Sequence, residues 1–278
     1  MKAWVGNRWG GSLVEPAQPQ VSVLDHGLLL GDGLFETVLT RSGAAVFLSH
    51  HLARLEQSAS ALDLEIDSAS LREAVAEILR STSDVTDGRL RITVTAGVGP
   101  LGMSRGSEPS YFLLWEPLLV TTSPARLAIS DMVRNDVSQL SGIKHLSWVE
   151  NTVAQRRAVA AGFSEALMLN TRGEVCETAT ANIFMVKNQT VITPPLSSGC
   201  LAGITRALLI NNMPIDVRFA EMTFMLADLL TADEVFLTSS LRLVQPVELV
   251  SDSTFTIPGE MTSTLTALVH TLVERNDD

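Results

Sequence analysis

Cysteine is nearly absent from this chain: 278 residues hold two, Cys176 and Cys200, with no CxxC pair and no Cys/His ligand spacing around them. That argues against a disulfide framework and a zinc site, and predicts two buried thiols in a reducing compartment. Positive charge is also scarce. Twenty Lys and Arg stand against 31 Asp and Glu, for a net charge of −11 and a pI near 4.9. Such a chain offers nucleic acid no basic surface, and an anionic ligand would need locally placed arginines. No apolar run approaches the ~18 residues of a membrane span. The N-terminal stretch from Met1 to Gly10 lacks the apolar centre of a secretory signal. The expected location is the cytoplasm, with no membrane partner. Five histidines form no HExxH motif or triad spacing, and His50 and His51, being adjacent, cannot share a helix face. Structural roles are expected for them, and no metal. Gly31-Asp32-Gly33 lacks the strand-to-helix context of a dinucleotide loop.

What is present suits a globular enzyme. Hydrophobic residues make up 46% and charged residues 18% of the sequence, enough for one large domain or two modest lobes. Glu36 to Thr40 and Ala44 to Leu48 flank Arg41-Ser42-Gly43, a hairpin signal. Leu52, Leu55, Ala59 and Leu62 then share one helical face. Ser70-Leu71-Arg72-Glu73 reads as a capping box opening a second helix over Val75, Ile78 and Leu79. Arg89 to Ala96 and Tyr111 to Trp115 alternate as strands, and the glycine-rich 97–106 segment between them is expected to be a mobile loop. Pro117 to Pro124 reads as a linker, dividing the chain into lobes 1–117 and 126–278, with 118–125 between.

In the second lobe the pattern predicts a strand over 126–132, a helix over 147–162, and short strands over 166–169 and 183–186 around the turn 170–173. A loop over 194–199 leads to a helix opening at Gly203. A strand over 234–238 and a last helix from about Met261 follow. The mixture predicts an α+β fold of two lobes.

Three features of this lobe carry chemistry. Lys144 lies in a loop before a helix, among apolar or small neighbours, where burial would favour a neutral, nucleophilic amine. Glu177 stands between two predicted strands in a run of small uncharged residues, and burial there requires a cationic partner. Gly203-Ile204-Thr205-Arg206 offers backbone N–H groups and a hydroxyl at a helix start, a site for phosphate. Ser239 and Ser240 could add donors, and Arg54 could meet a phosphate bidentately. An amine, a carboxylate and a helix start are what pyridoxal 5'-phosphate needs for its aldehyde, ring nitrogen and phosphate.

In order along the chain, the segments Asp25 to Glu36, His51 to Leu55, Lys144, Glu177 to Phe184, Pro194 to Arg206 and Val244 to Val247 resemble the class IV, or fold-type IV, pyridoxal-phosphate enzymes. These include branched-chain and D-amino-acid aminotransferases and aminodeoxychorismate lyases. The resemblance implies two α/β lobes with the cofactor in the cleft between them, and a homodimer in which loops of one subunit close the neighbour's site. It makes Lys144 the Schiff-base lysine and Glu177 the partner of the ring nitrogen. Arg54, Gly203, Ile204, Thr205, Ser239 and Ser240 become the phosphate set, and Thr180 is added to the cofactor residues. Arg105 is expected to bind a substrate carboxylate, with Phe35 and Thr37 also near the substrate, a small-molecule amine or amino acid. Gly142-Ile143-Lys144-His145-Leu146 and Gly31 to Phe35 match the lyase members, although Ser147 replaces a common asparagine. The tyrosine that follows the lysine in branched-chain aminotransferases is missing. The implied activity is 4-amino-4-deoxychorismate lyase, with a D-amino-acid aminotransferase as the alternative.

Overall fold

Strand alternation and amphipathic helices sort this chain into two compact units. One comprises Met1–Val120 with Lys144–Ser147 and Asn276–Asp278; the other, Thr121–Ile143 with Trp148–Arg275. The computed structural model describes residues 1–17, 21–82, 87–106, 108–118 and 123–276. Residues 119–122, half of the predicted linker, lie outside the described residues.

The first unit runs β1 (Lys2–Asn7), β2 (Gly10–Val14), α1 (His26–Leu30), β3 (Gly33–Arg41), β4 (Ala44–Ala45), α2 (Leu48–Ala61), α3 (Ser68–Arg80), β5 (Asp87–Thr95) and β6 (Ser110–Pro117). Among the described residues its sheet has the order β2-β1-β6-β5-β3-β4. The hairpin predicted at Arg41-Ser42-Gly43 is there, and Ser42 and Gly43 both take positive φ, 51° and 78°. That backbone matches the right-handed twist of the strands it joins. Its second arm is shorter than predicted. β4 stops at Ala45, because Phe47, at φ 54°, turns the chain into α2. Helix α2 buries Leu52, Leu55 and Ala59 as their spacing predicts, and His51 and Ser58 with them.

Helix α3 starts at Ser68, earlier than the capping box at Ser70 suggests. Asp67 is the N-cap: its carboxylate accepts from the Ala69 amide at 3.0 Å and from Ser70 Oγ at 2.6 Å. The carboxylate both bonds the first helical amides and meets the positive end of the helix. Beneath both helices, Leu34, Val38, Leu90, Ile92 and Leu113 are fully buried from one sheet face. Trp115 Nε1 donates to Thr40 Oγ1 at 2.8 Å, so the indole is buried without an orphaned N–H.

The second unit runs β7 (Ala125–Ile129), α4 (Val149–Ala160), β8 (Glu165–Leu169), β9 (Val175–Thr178), β10 (Asn182–Lys187), β11 (Thr190–Thr193), α5 (Ile204–Asn211), β12 (Arg218–Glu221), α6 (Leu226–Leu229), β13 (Glu234–Ser239), β14 (Leu243–Val250), β15 (Ser253–Thr254) and α7 (Glu260–Arg275). Its strands follow the order β12-β11-β10-β13-β14-β7-β8-β9, with β15 beside β14. Leu127, Leu167, Ile183, Leu237 and Val247 join Phe224 and Leu229 in one core. Phe184 and Phe236 stack at 4.9 Å.

One local expectation changes. Glu177 does not lie between strands but on one, β9, where it pairs with Met168 of β8. Four residues of mixed polarity are too few for alternation to announce a strand, so only the sheet reveals it. No helix of the described residues is long and apolar enough to cross a membrane. Both cysteines are free and buried, and burial pushes the Cys200 thiol up to about 11.

Candidate active site

Lys144 belongs to the first unit because its segment pairs with the start of β3. The Phe35 amide donates to the Lys144 carbonyl at 3.0 Å and the Leu146 amide to the Gly33 carbonyl at 2.9 Å, with His145 opposite Leu34. Antiparallel partners project to the same side, so Lys144 shares the face of Phe35. Its Nζ stands 4.4 Å from the Phe35 ring centroid. The ring's negative face suits an ammonium group.

The same face holds an arginine that sequence reasoning missed. Arg91 lies opposite Thr37 on the neighbouring strand β5. Its Cζ is 4.0 Å from the Phe35 ring, and its Nε donates to Thr93 Oγ1 at 3.1 Å. No carboxylate pairs with it among the described residues. Burial lowers its pKa with no anion to oppose the effect. Thr37, next but one to Phe35 on β3, faces the same way by the two-residue period of a strand. That period was the available signal: Leu90, Ile92 and Val94 form the buried side of β5, which sends Arg91 and Thr93 to the other.

Glu36 faces the opposite side, toward α2. Its Oε1 accepts from Arg54 Nε at 2.8 Å, and its Oε2 accepts from Arg54 Nη2 at 2.6 Å and from His51 Nδ1 at 2.7 Å. Burial alone would push the Glu36 carboxyl up. The Arg54 charge and the hydrogen bonds from His51 and Arg54 outweigh it and hold the group at about 2. Burial pushes His51 down, and the Arg54 and Lys144 charges add to that, against the opposing pull of Glu36. His51, expected to be structural, is thus one corner of a buried ionic cluster.

Arg105, expected at a substrate carboxylate, is engaged within the protein. Nε and Nη2 meet Asp32 at 2.7 and 2.8 Å, and Nη1 donates to the Asp63 carbonyl at 2.6 Å. The loop carrying it is tied down at Gly97, whose carbonyl accepts from the His26 amide, and at Gly99, whose amide donates to the Leu24 carbonyl.

In the second unit, Glu177 is 5% exposed and has the cationic partner its burial requires. Arg134 Nη2 lies 2.9 Å from its Oε1, and the Leu201 amide donates to Oε2 at 3.0 Å. Arg134 itself is steadied by Asn151 Oδ1 at 3.2 Å and by the Trp148 ring at 5.7 Å. It sits in irregular chain after β7, where periodicity carries no signal.

Helix α5 begins at Ile204 with Gly203 as N-cap and no side-chain cap, so its first amides have no partner within the helix. A Cβ on Gly203 would collide with Asn182 Oδ1, while Asn182 Nδ2 donates to the Leu201 carbonyl at 2.8 Å. Glycine there lets the chain approach closely. Thr205 is buried beside it. Helix α5 packs on β13, whose end carries Ser239, with Ser240 following in the turn. Just before them the Thr238 hydroxyl is buried without a hydrogen-bond partner. Thr180 is committed locally: its amide and hydroxyl bind Glu165 at 3.1 and 2.7 Å, and Arg242 Nη2 donates to its hydroxyl at 2.8 Å.

The donor set fits pyridoxal phosphate. Taken separately, the first unit holds a primary amine against an aromatic face, and the second holds an arginine-paired buried carboxylate and a helix start without a side-chain cap beside the unpartnered Thr238 hydroxyl. Among the described residues no group of three or more His, Cys, Asp or Glu is arranged to hold a metal ion.

Comparison with known proteins agrees. The model of the amino-transferase class IV family matches residues 33–250. The chain belongs to that family, the fold-type IV enzymes of pyridoxal phosphate. A Methanocaldococcus jannaschii protein named "Putative branched-chain-amino-acid aminotransferase" is 34% identical over 85% of each chain. A D-alanine aminotransferase of Bacillus licheniformis is 28% identical over 95% of this chain and 96% of its own. The crystal structure of 4-amino-4-deoxychorismate lyase from Pseudomonas aeruginosa matches with a TM-score of 0.81 and 31% identity, covering 97% of this chain and 98% of that one.

Proposed function

We propose that this chain is a 4-amino-4-deoxychorismate lyase, releasing 4-aminobenzoate and pyruvate for folate synthesis, in the cytoplasm and as a homodimer. One observation carries the reading: the Lys144 amine, the Thr37 hydroxyl and the Arg91 guanidinium share the Phe35 face of the first unit. A base, a hydrogen-bond donor and a carboxylate anchor are what elimination of a carboxylated enol ether from an amine-bearing ring requires.

Pyridoxal phosphate, when bound, supplies the electron sink that makes the amine-bearing carbon acidic. Glu177, kept an acceptor by Arg134 and the Leu201 amide, would hold the ring nitrogen. The Ile204 and Thr205 amides at Gly203, with Ser239, Ser240 and Arg54, would hold the phosphate. Lys144 Nζ takes the proton from the amine-bearing ring carbon. Thr37 donates to the oxygen of the departing pyruvate, and the new ring becomes aromatic. Arg91 takes the carboxylate role expected of Arg105, since Arg105 is closed on Asp32. Phe35 forms an apolar wall beside the substrate ring. Thr180 has no part in this set, its hydroxyl being held by Glu165 and Arg242.

The 34% identity with the Methanocaldococcus jannaschii protein favours a second reading, an aminotransferase of branched-chain or D-amino acids. Lys144 would then move the proton of the amino-acid α-carbon. Purified enzyme given aminodeoxychorismate, and separately D-alanine or L-valine with 2-oxoglutarate, separates the two. Formation of 4-aminobenzoate and pyruvate supports the lyase. Transamination without 4-aminobenzoate rejects it.

A further inference from the structure

Glu36 is 1% exposed and takes no part in the chemistry above, yet it is the centre of the ionic cluster on α2. Its two oxygens close on the Nε and Nη2 atoms of Arg54 at 2.8 and 2.6 Å. A guanidinium carries five N–H groups in one plane. This clamp turns one Nε–H and one Nη2–H to Glu36 and directs the other three away from it. His51 stands three residues before Arg54 on α2, hence on the same helix face, and its Nδ1 lies 2.7 Å from Glu36 Oε2. An ionised carboxylate only accepts, so Nδ1 carries the hydrogen, and Oε2 accepts from both the imidazole and Arg54 Nη2.

We propose that Glu36 and His51 are positioning residues for phosphate recognition: together they fix the plane of the Arg54 guanidinium, so that its outward N–H groups meet the cofactor phosphate preformed. The inference rests on the proposed role of Arg54 at the phosphate. An unclamped arginine must lose much side-chain freedom on binding, and the clamp removes that loss beforehand. The alternative, that Arg54 acts through charge alone, makes the opposite forecast. Removing the Glu36 charge would raise the local positive potential and tighten phosphate binding.

Dissociation constants of pyridoxal 5'-phosphate and of pyridoxal, measured on apoenzyme for wild type, E36Q, H51L, H51N, R54M and E36Q/R54M, decide between them. E36Q is expected to weaken pyridoxal phosphate about 10- to 100-fold and pyridoxal by less than about 2-fold. In the R54M background the E36Q effect should vanish. H51L should weaken the phosphorylated ligand in the same sense, and H51N, which keeps an N–H donor, should restore it. Tighter or unchanged pyridoxal phosphate binding in E36Q, or an equal loss for both ligands, overturns the proposal. Should E36Q fail to fold, a wild-type preference for the phosphorylated ligand in H51L overturns it. R54M with a wild-type preference overturns the role of Arg54 itself. A lost preference in R54M beside an unchanged one in E36Q overturns the clamp alone.

Discussion

Arg134 sets its Nη2 atom 2.9 Å from Oε1 of Glu177, inside the second unit, where the two side chains are 12% and 6% exposed. Burial of a carboxylate requires polar partners, and that arginine and the Leu201 amide, which donates to Oε2 at 3.0 Å, are two of them. The pair therefore matters both to the fold and to any ring nitrogen that Glu177 meets.

Replacing Arg134 with leucine takes the guanidinium away from the Glu177 carboxylate. The expected loss is about 3–5 kcal/mol of stability, as for other broken buried pairs. Arg134→Lys should lose less and keep cofactor binding. Urea unfolding of both variants checks this, and equal stability of Arg134→Leu and wild type would refute it.

Acid should destabilise the protein in two stages. The folded-state pKa of Glu36, about 2, lies below its ordinary 4.5, so its contribution is fully present above pH 4.5. It is lost as pH falls toward 2, and amounts to about 3 kcal/mol. His51 is also depressed, so the unfolded chain takes up its proton first, and stability begins to fall below about pH 6.5. Urea midpoints between pH 3 and 7 read both limbs; Glu36→Gln should flatten the lower one.

Gly203→Ala drives a methyl into Asn182 Oδ1 at the start of α5. Destabilisation of about 1–3 kcal/mol is expected, as for other overpacked sites. Weaker binding of pyridoxal phosphate than of pyridoxal should accompany it. Thermal melts and ligand titration would expose a neutral substitution.

Lys144→Ala should abolish turnover and the visible absorbance of the bound cofactor. Spectra and steady-state assays suffice. Wild-type activity in this variant is incompatible with the proposed chemistry.

Arg91→Leu removes the cation beside Phe35 without touching the cofactor set. The KM for a carboxylate substrate should rise about 10- to 100-fold, consistent with one lost charge-assisted hydrogen-bonded pair, while pyridoxal phosphate affinity holds. An unchanged KM would return the carboxylate role to another residue.

Much of this was legible without coordinates. The helical face of Leu52, Leu55 and Ala59, the hairpin at Ser42 and Gly43, and the glycine opening α5 each rest on contacts within a few residues, which local period and turn chemistry report. The chain order of amine, carboxylate and helix start was legible for the same reason, and it was enough to point to the family.

Pairing was another matter. Arg54 on Glu36, Arg105 on Asp32 and Arg134 on Glu177 join residues from different elements, and any arginine could have met any carboxylate so far as spacing tells. Arg105 illustrates the difference: its sequence position suggested a substrate ligand, and folding closed it on Asp32, 73 residues away. Periodicity and turn chemistry determined the class of fold because they depend on short-range geometry, and the ordered motifs that resemble the class IV enzymes pointed to the type of chemistry. Only the tertiary structure decided which charges are already paired and which, like Arg91, meet no carboxylate among the described residues, because burial and ion pairing are properties of surroundings brought together by the fold.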